Sequence, residues 1–149
     1  MSSPEDDPDP FRREALGLLA RAPSARLGEL FPDLPEQEIL RRPETGSVMV
    51  RGRAGGTGSS FNLGEITVTR ASVRLPSGHV GHGYVQGRDK AHALRAAAID
   101  ALAQHDPKRI EVEILAPLRR EEHLRRAARA AEAAATKVEF FTLARGEDE

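Results

Sequence analysis

Ile66-Thr67-Val68-Thr69-Arg70-Ala71-Ser72-Val73-Arg74-Leu75, followed by Pro76-Ser77-Gly78 and then His79-Val80-Gly81-His82-Gly83-Tyr84-Val85-Gln86, is the stretch that decides the fold. Ile66, Val68, Ala71, Val73 and Leu75 are interleaved with Thr67, Thr69, Arg70, Ser72 and Arg74. A period near two belongs to a strand with one face buried. The alternation slips at Arg70 and Ala71, which predicts a bulge or twist there. Pro76-Ser77-Gly78 has the chemistry of a tight turn, so His79–Gln86 returns as the next strand of a hairpin.

Downstream, Gly87 and Arg88 end that strand, and Asp89 is placed to cap a helix over Lys90–His105 with Ala91, Leu94, Ala98 and Leu102 on one face. After Pro107, the alternation of Ile110, Val112 and Ile114 with Glu111 and Glu113 reads as a short strand, with a helical start as the alternative. Pro117–Ala135 reads as a helix, with Glu121 four residues before Arg125 and Glu122 four before Arg126. Lys137–Ala144 is dense in strand formers and is expected to be a final strand, paired in the sheet or with another chain.

Upstream, Val48 and Val50 alternate with Met49 and Arg51 from Gly46 onward, and a glycine-rich break over Gly52–Gly58 separates them from the next strand. Before Gly46 the period is helical. Phe11, Ala15, Leu18, Leu19 and Ala22 form one stripe, and Pro23 stops that helix. Ser24 is placed to cap a second helix through Leu30, and Pro35 opens a third carrying Ile39 and Leu40. The expectation is a single α+β domain over residues 11–146: broken N-terminal helices, then an antiparallel sheet with two later helices on one face. Residues 1–10 are expected to be a disordered acidic tail and 147–149 a charged one.

Composition narrows the chemistry. The chain has 149 residues, a net charge of -1, no Cys, no Trp and one Tyr. Thiol chemistry and disulfides are excluded. Balanced charge and scarce aromatic residues argue against a nucleic-acid partner. No apolar run approaches a membrane span and the N-terminus lacks the layout of a signal peptide, so a cytoplasmic protein is expected. His79 and His82, three apart on a strand, point to opposite faces, and no metal site is expected. No nucleophile motif surrounds Ser59 or Ser60, and no catalytic residue is assigned.

Two loops carry candidate ligand residues. Arg53, Gly55, Gly56, Thr57 and Gly58 combine guanidinium charge with backbone that can approach an anion closely, although the lysine and following helix of a P-loop are missing. Arg88, Asp89, Lys90 and His92 stand at a strand-to-helix junction, where N–H groups and cations can hold a phosphate or phosphonate. The plainer alternatives are a flexible strand connection at the first loop and a simple helix cap at the second.

Several separated blocks resemble the G subunit family (PhnG) of the bacterial carbon-phosphorus lyase system. They are Glu44-Thr45-Gly46, Gly55-Gly56-Thr57-Gly58 with Phe61 and Gly64, and Thr69-Arg70 with Val73-Arg74-Leu75. Further along come Val85-Gln86-Gly87-Arg88-Asp89-Lys90, Ile99-Asp100-Ala101-Leu102, Ala116-Pro117-Leu118, and Phe140-Phe141-Thr142 with Arg145-Gly146. The sequence departs from the family pattern at Leu94, where glutamate is common, and at His82, where relatives carry an aromatic residue.

The resemblance implies a transferase subunit that acts with the H, I and L components to attach a phosphonate to C1′ of ATP, giving ribose 1-phosphonate 5-triphosphate and adenine. It also implies a core complex with H, I and J, and a functional link to K. ATP is then a substrate of the complex, and this chain holds no cofactor of its own. The alternative is a structural scaffold without ligand contact. On the first reading, the two cationic loops shape a polyanion site shared with a partner.

Overall fold

The computed structural model describes residues 9–53 and 58–146. Helix α1 spans Pro10–Arg21, opened by Asp9, whose side chain accepts from Arg12 N at 2.9 Å. Its apolar stripe is the predicted one: Ala15, Leu18, Leu19 and Ala22 are buried, and only Phe11 is exposed. Pro23 then breaks the chain into α2, Ser24–Leu30. Ser24 is the first helical residue there instead of the cap.

The expected third helix does not form. Strand β1 runs over Glu38–Arg53, so Ile39 and Leu40 lie in the sheet and the strand begins eight residues before Gly46. Pairing with β2, Ser60–Arg74, outweighs the local helical signal, and Glu38 stands opposite Arg74 with Ile39 opposite Val73. Pro43 is tolerated because β1 is an edge strand and its register is irregular between Arg41 and Glu44. Strand β3, Val80–Gln86, completes an antiparallel β1-β2-β3 sheet. The bulge expected at Arg70 and Ala71 is displaced. The β2–β3 register is unbroken there, and the irregularity falls on β1 opposite them. The sequence pattern slips because Val68 and Ala71, on opposite faces of β2, are both buried.

Helix α3, Lys90–His105, is capped by Asp89 as expected, with His92 N donating to Oδ1 at 2.9 Å. Its buried face is different from the predicted one. Ala93, Ala96, Ala97, Ala98, Ile99 and Ala101 are buried, whereas Ala91 is exposed and Leu94 and Leu102 are half-buried. A helix covered on several sides loses its amphipathic signature. Gly81 and Gly83 of β3 explain the closeness of the contact. A Cβ on Gly81 would overlap the Ala97 carbonyl oxygen, and one on Gly83 would overlap that of Ala93. Glycines on the strand and alanines on the helix thus let two backbones meet.

Beyond α3, the expected strand over Ile110–Ile114 is helical: α4 covers Pro107–Ile110, a π-helical turn follows over Glu111–Leu115, and α5 covers Ala116–Gly146. Ile110 and Ile114 are four apart and both buried, while Val112 between them is 71% exposed. Four residues satisfy two strand periods or one helical turn, so the alternation was ambiguous. The expected final strand over Lys137–Ala144 is also corrected, since α5 runs through it without a break. An alanine-rich helix already nucleated propagates cheaply through residues with only modest helix penalties.

Only the base of α5 joins the core, through Leu118, so α5 does not cover the sheet as expected of the second later helix. Ion pairs fasten that base. Arg21 meets Glu122 at 2.7 Å, Arg26 meets Glu121 at 2.7 Å, and Arg119 bridges Glu14 and Glu111, each at 2.6 Å. Of the two pairs expected along the helix, Glu122–Arg126 forms at 3.0 Å, but Glu121 turns to Arg26 instead of Arg125.

Candidate functional site

Arg53 and Gly58, the described residues of the first candidate set, lie at the end of a long β1–β2 arm. β3 pairs with β2 only over Val68–Arg74, and from there the two strands continue together as far as Arg53 opposite Ser60. Arg53 is exposed and Gly58 half-buried, while Gly55, Gly56 and Thr57 lie outside the described residues.

The second loop sits at the other end of the arm. Gly87 turns the chain with φ 93°, a conformation suited to glycine, and its N–H donates to Thr67 O at 2.8 Å. Thr69 Oγ1 donates to Gly87 O at 2.7 Å, and its hydroxyl also meets Thr45 Oγ1 at 3.1 Å, which pins the turn to both β1 and β2. Seven residues of strand separate Thr67 from Ser60, a rise of about 24 Å. The fold therefore holds Arg53 and Gly58 apart from Arg88 and Lys90 within this chain.

Within the second loop the four candidate residues divide. Arg88 and Lys90 are exposed at the start of α3. His92 is buried, its Nε2 donating to Leu19 O at 2.8 Å, and since a carbonyl only accepts, the ring carries its proton on Nε2. This bond ties α3 to α1. Asp89 caps α3, and hydrogen bonds from Ser24 and the His92 backbone hold its carboxyl below the usual carboxylate range. His92 and Asp89 thus build the junction, and Arg88 and Lys90 are its outward charges.

A second buried arrangement lies along α3. Asp100 is 1% exposed and receives two bonds from Arg12, Nε to Oδ1 at 3.1 Å and Nη2 to Oδ2 at 2.9 Å, with His82 N adding a third at 2.9 Å. The carboxylate raises the Arg12 pKa and locks α1, β3 and α3 together.

Sequence reasoning missed the outer face of the sheet. There Arg41, Arg70, Ser72, His82 and Tyr84 line a cleft of about 270 Å³. Ser72 Oγ stands 2.8 Å from His82 Nδ1 in a hydrogen bond. The antiparallel register sets Arg41 opposite Ser72, Ser72 opposite His82 and Arg70 opposite Tyr84. Only cross-strand pairing could have revealed this, because the residues come from three separate stretches. Among the described residues no group of three or more His, Asp or Glu is placed to hold a metal ion, and no helix is long and apolar enough to cross a membrane.

Fold and site together define an α+β domain whose cationic groups occupy open surfaces and whose longest helix leaves apolar side chains bare. The sequence matches the family described as "Phosphonate metabolism protein PhnG" over residues 11–146, and the chain belongs to that family. It is 52% identical over 146 residues, 92% of this chain and 90% of the relative, to the alpha-D-ribose 1-methylphosphonate 5-triphosphate synthase subunit PhnG of Rhizobium meliloti (strain 1021).

Proposed function

We propose that the chain is a non-autonomous subunit of a carbon-phosphorus lyase complex, a cytoplasmic assembly in which it works with the H, I and L subunits and shares a core with H, I and J, functionally linked to K. The reaction joins an alkylphosphonate to C1′ of ATP. A C1′–O bond to the phosphonate forms as the bond from C1′ to adenine breaks, leaving ribose 1-phosphonate 5-triphosphate. Both the phosphonate and the triphosphate bring negative charge, and cationic groups on open surfaces suit a site completed by a neighbour. ATP is a substrate of the complex, and no resident cofactor is assigned to this chain.

The observation that carries the subunit reading is the far half of α5. Val138, Phe140, Phe141 and Leu143 are 55–70% exposed and surround the helix instead of forming one stripe. A helix end that is apolar all round is built for burial. Covering such a side chain contributes about 1.5–3 kcal/mol before the costs of association. The relative's name as a synthase subunit points the same way.

The scaffold reading is favoured by the structural duties of Asp89 and His92. Alanine replacement of Arg53 and Arg88 separates the two: a subunit that helps hold anions loses phosphonate growth while the complex still assembles, whereas a pure scaffold keeps both.

A further inference from the structure

We propose that the cleft on the outer face of the sheet is a phosphate-class oxyanion site, in which Arg41 and Arg70 are the charged contacts and Ser72 supplies a hydroxyl. This rests on the reading of the chain as a subunit that handles phosphonate and triphosphate groups. Seven arginines of the domain are tied to carboxylates: Arg12, Arg21, Arg26, Arg74, Arg109, Arg119 and Arg126 each meet an Asp or Glu. Among the described residues Arg41 and Arg70 meet none, although both line one cleft and Glu44 stands opposite Arg70 in the register. Guanidiniums left unpaired around a hollow, with a hydroxyl and a phenol on its walls, match the several acceptor oxygens of a phosphoryl or phosphonyl group.

The site's position suits a shared centre. It lies on the face opposite α3, formed where β1, β2 and β3 run side by side, so the sheet fixes the cationic groups while the side facing solvent stays open to a neighbouring subunit. Arg74, on the same face of β2, provides an internal control because Glu38 holds it at 3.4 Å and it lies outside the cleft.

The test titrates tripolyphosphate and, separately, methylphosphonate into the full chain at low salt, comparing wild type with Arg41→Gln/Arg70→Gln and Arg74→Gln. Loss of two charge-assisted contacts weakens anion binding by about 30-fold or more in the double variant, and Arg74→Gln changes it by less than about 3-fold. Tripolyphosphate binding alone assigns the cleft to the triphosphate, and methylphosphonate binding alone assigns it to the phosphonate. An equal loss in both variants, an unchanged double variant, or no binding of either anion by wild type overturns the proposal.

A parallel pull-down of both variants from phosphate-starved cells keeps the two readings apart. Recovery of partner subunits by the double variant is the expected result. If that variant loses its partners and keeps its anion affinity, the face is a protein contact and the site is refuted while the subunit role stands. If wild type recovers no partner, the subunit role falls and the titration still reads the cleft by itself.

Discussion

Replacing Gly81 by alanine probes the closest backbone approach in the fold. The new Cβ would overlap Ala97 O and lie 2.5 Å from Ala101 N and 2.9 Å from Ala101 Cβ. None of these neighbours is the end of a flexible side chain, so relief requires α3 to move off β3 by roughly 1 Å, a gap that forfeits a quarter to a half of each dispersion contact it opens. Overpacking ordinarily costs about 1–3 kcal/mol, and a clash with helix backbone belongs at or above that upper end. We expect Gly81→Ala to lose about 3–5 kcal/mol, which at about 2–4 °C per kcal/mol for a domain of this size lowers Tm by roughly 6–20 °C. Urea and thermal unfolding measure it, with Gly46→Ala as the control, since a Cβ there meets nothing within 4 Å. A Gly81→Ala protein within about 0.5 kcal/mol of wild type would refute the close seating of α3 on β3.

Other outcomes follow from single contacts. Arg12→Ala leaves Asp100 buried with only the His82 N–H, and is expected to cost about 2–4 kcal/mol in urea unfolding, part of it recovered by adding Asp100→Asn. Asp89→Ala removes the α3 cap and should cost about 1 kcal/mol at pH 7. Folding holds the Asp89 carboxyl below its ordinary value of 3.8, so its stabilisation is complete above that value and is lost as pH falls through the lower folded pKa. The difference between wild type and Asp89→Ala should therefore shrink in acid, and a gap that widens below pH 4 would contradict the assignment.

What could be read from the sequence followed the range of the interactions. β2, its turn, β3 and α3 were legible because alternation, turn chemistry and a cap residue agreed over a short span. Lys90–His105 appeared with the bounds expected of it. Where one local signal stood alone it was overruled: Ile39 and Leu40 entered a strand because β2 offered them a partner, and Phe140 and Phe141 stayed helical because the alanine-rich segment before them was already wound. The site divides in the same way. Asp89 was readable as a cap, but the bond from His92 to Leu19 spans 73 residues and left no trace in spacing. Arg41 and Arg70 lie 29 apart in sequence and share a cleft only through the β1–β2 register, irregular at Pro43. Gly55, Gly56 and Thr57, the most conspicuous motif, lie outside the described residues.

The subunit assignment meets its most direct test in a pull-down from phosphate-starved cells with a tag on this chain, wild type beside Val138→Asp/Phe141→Asp. Both positions are exposed on α5 and remote from its ion-paired base, so the fold survives their replacement. Wild type is expected to recover the H, I and J subunits and the double variant to lose them while remaining folded. Wild type recovering none of the three, or the variant recovering all of them undiminished, would contradict the account.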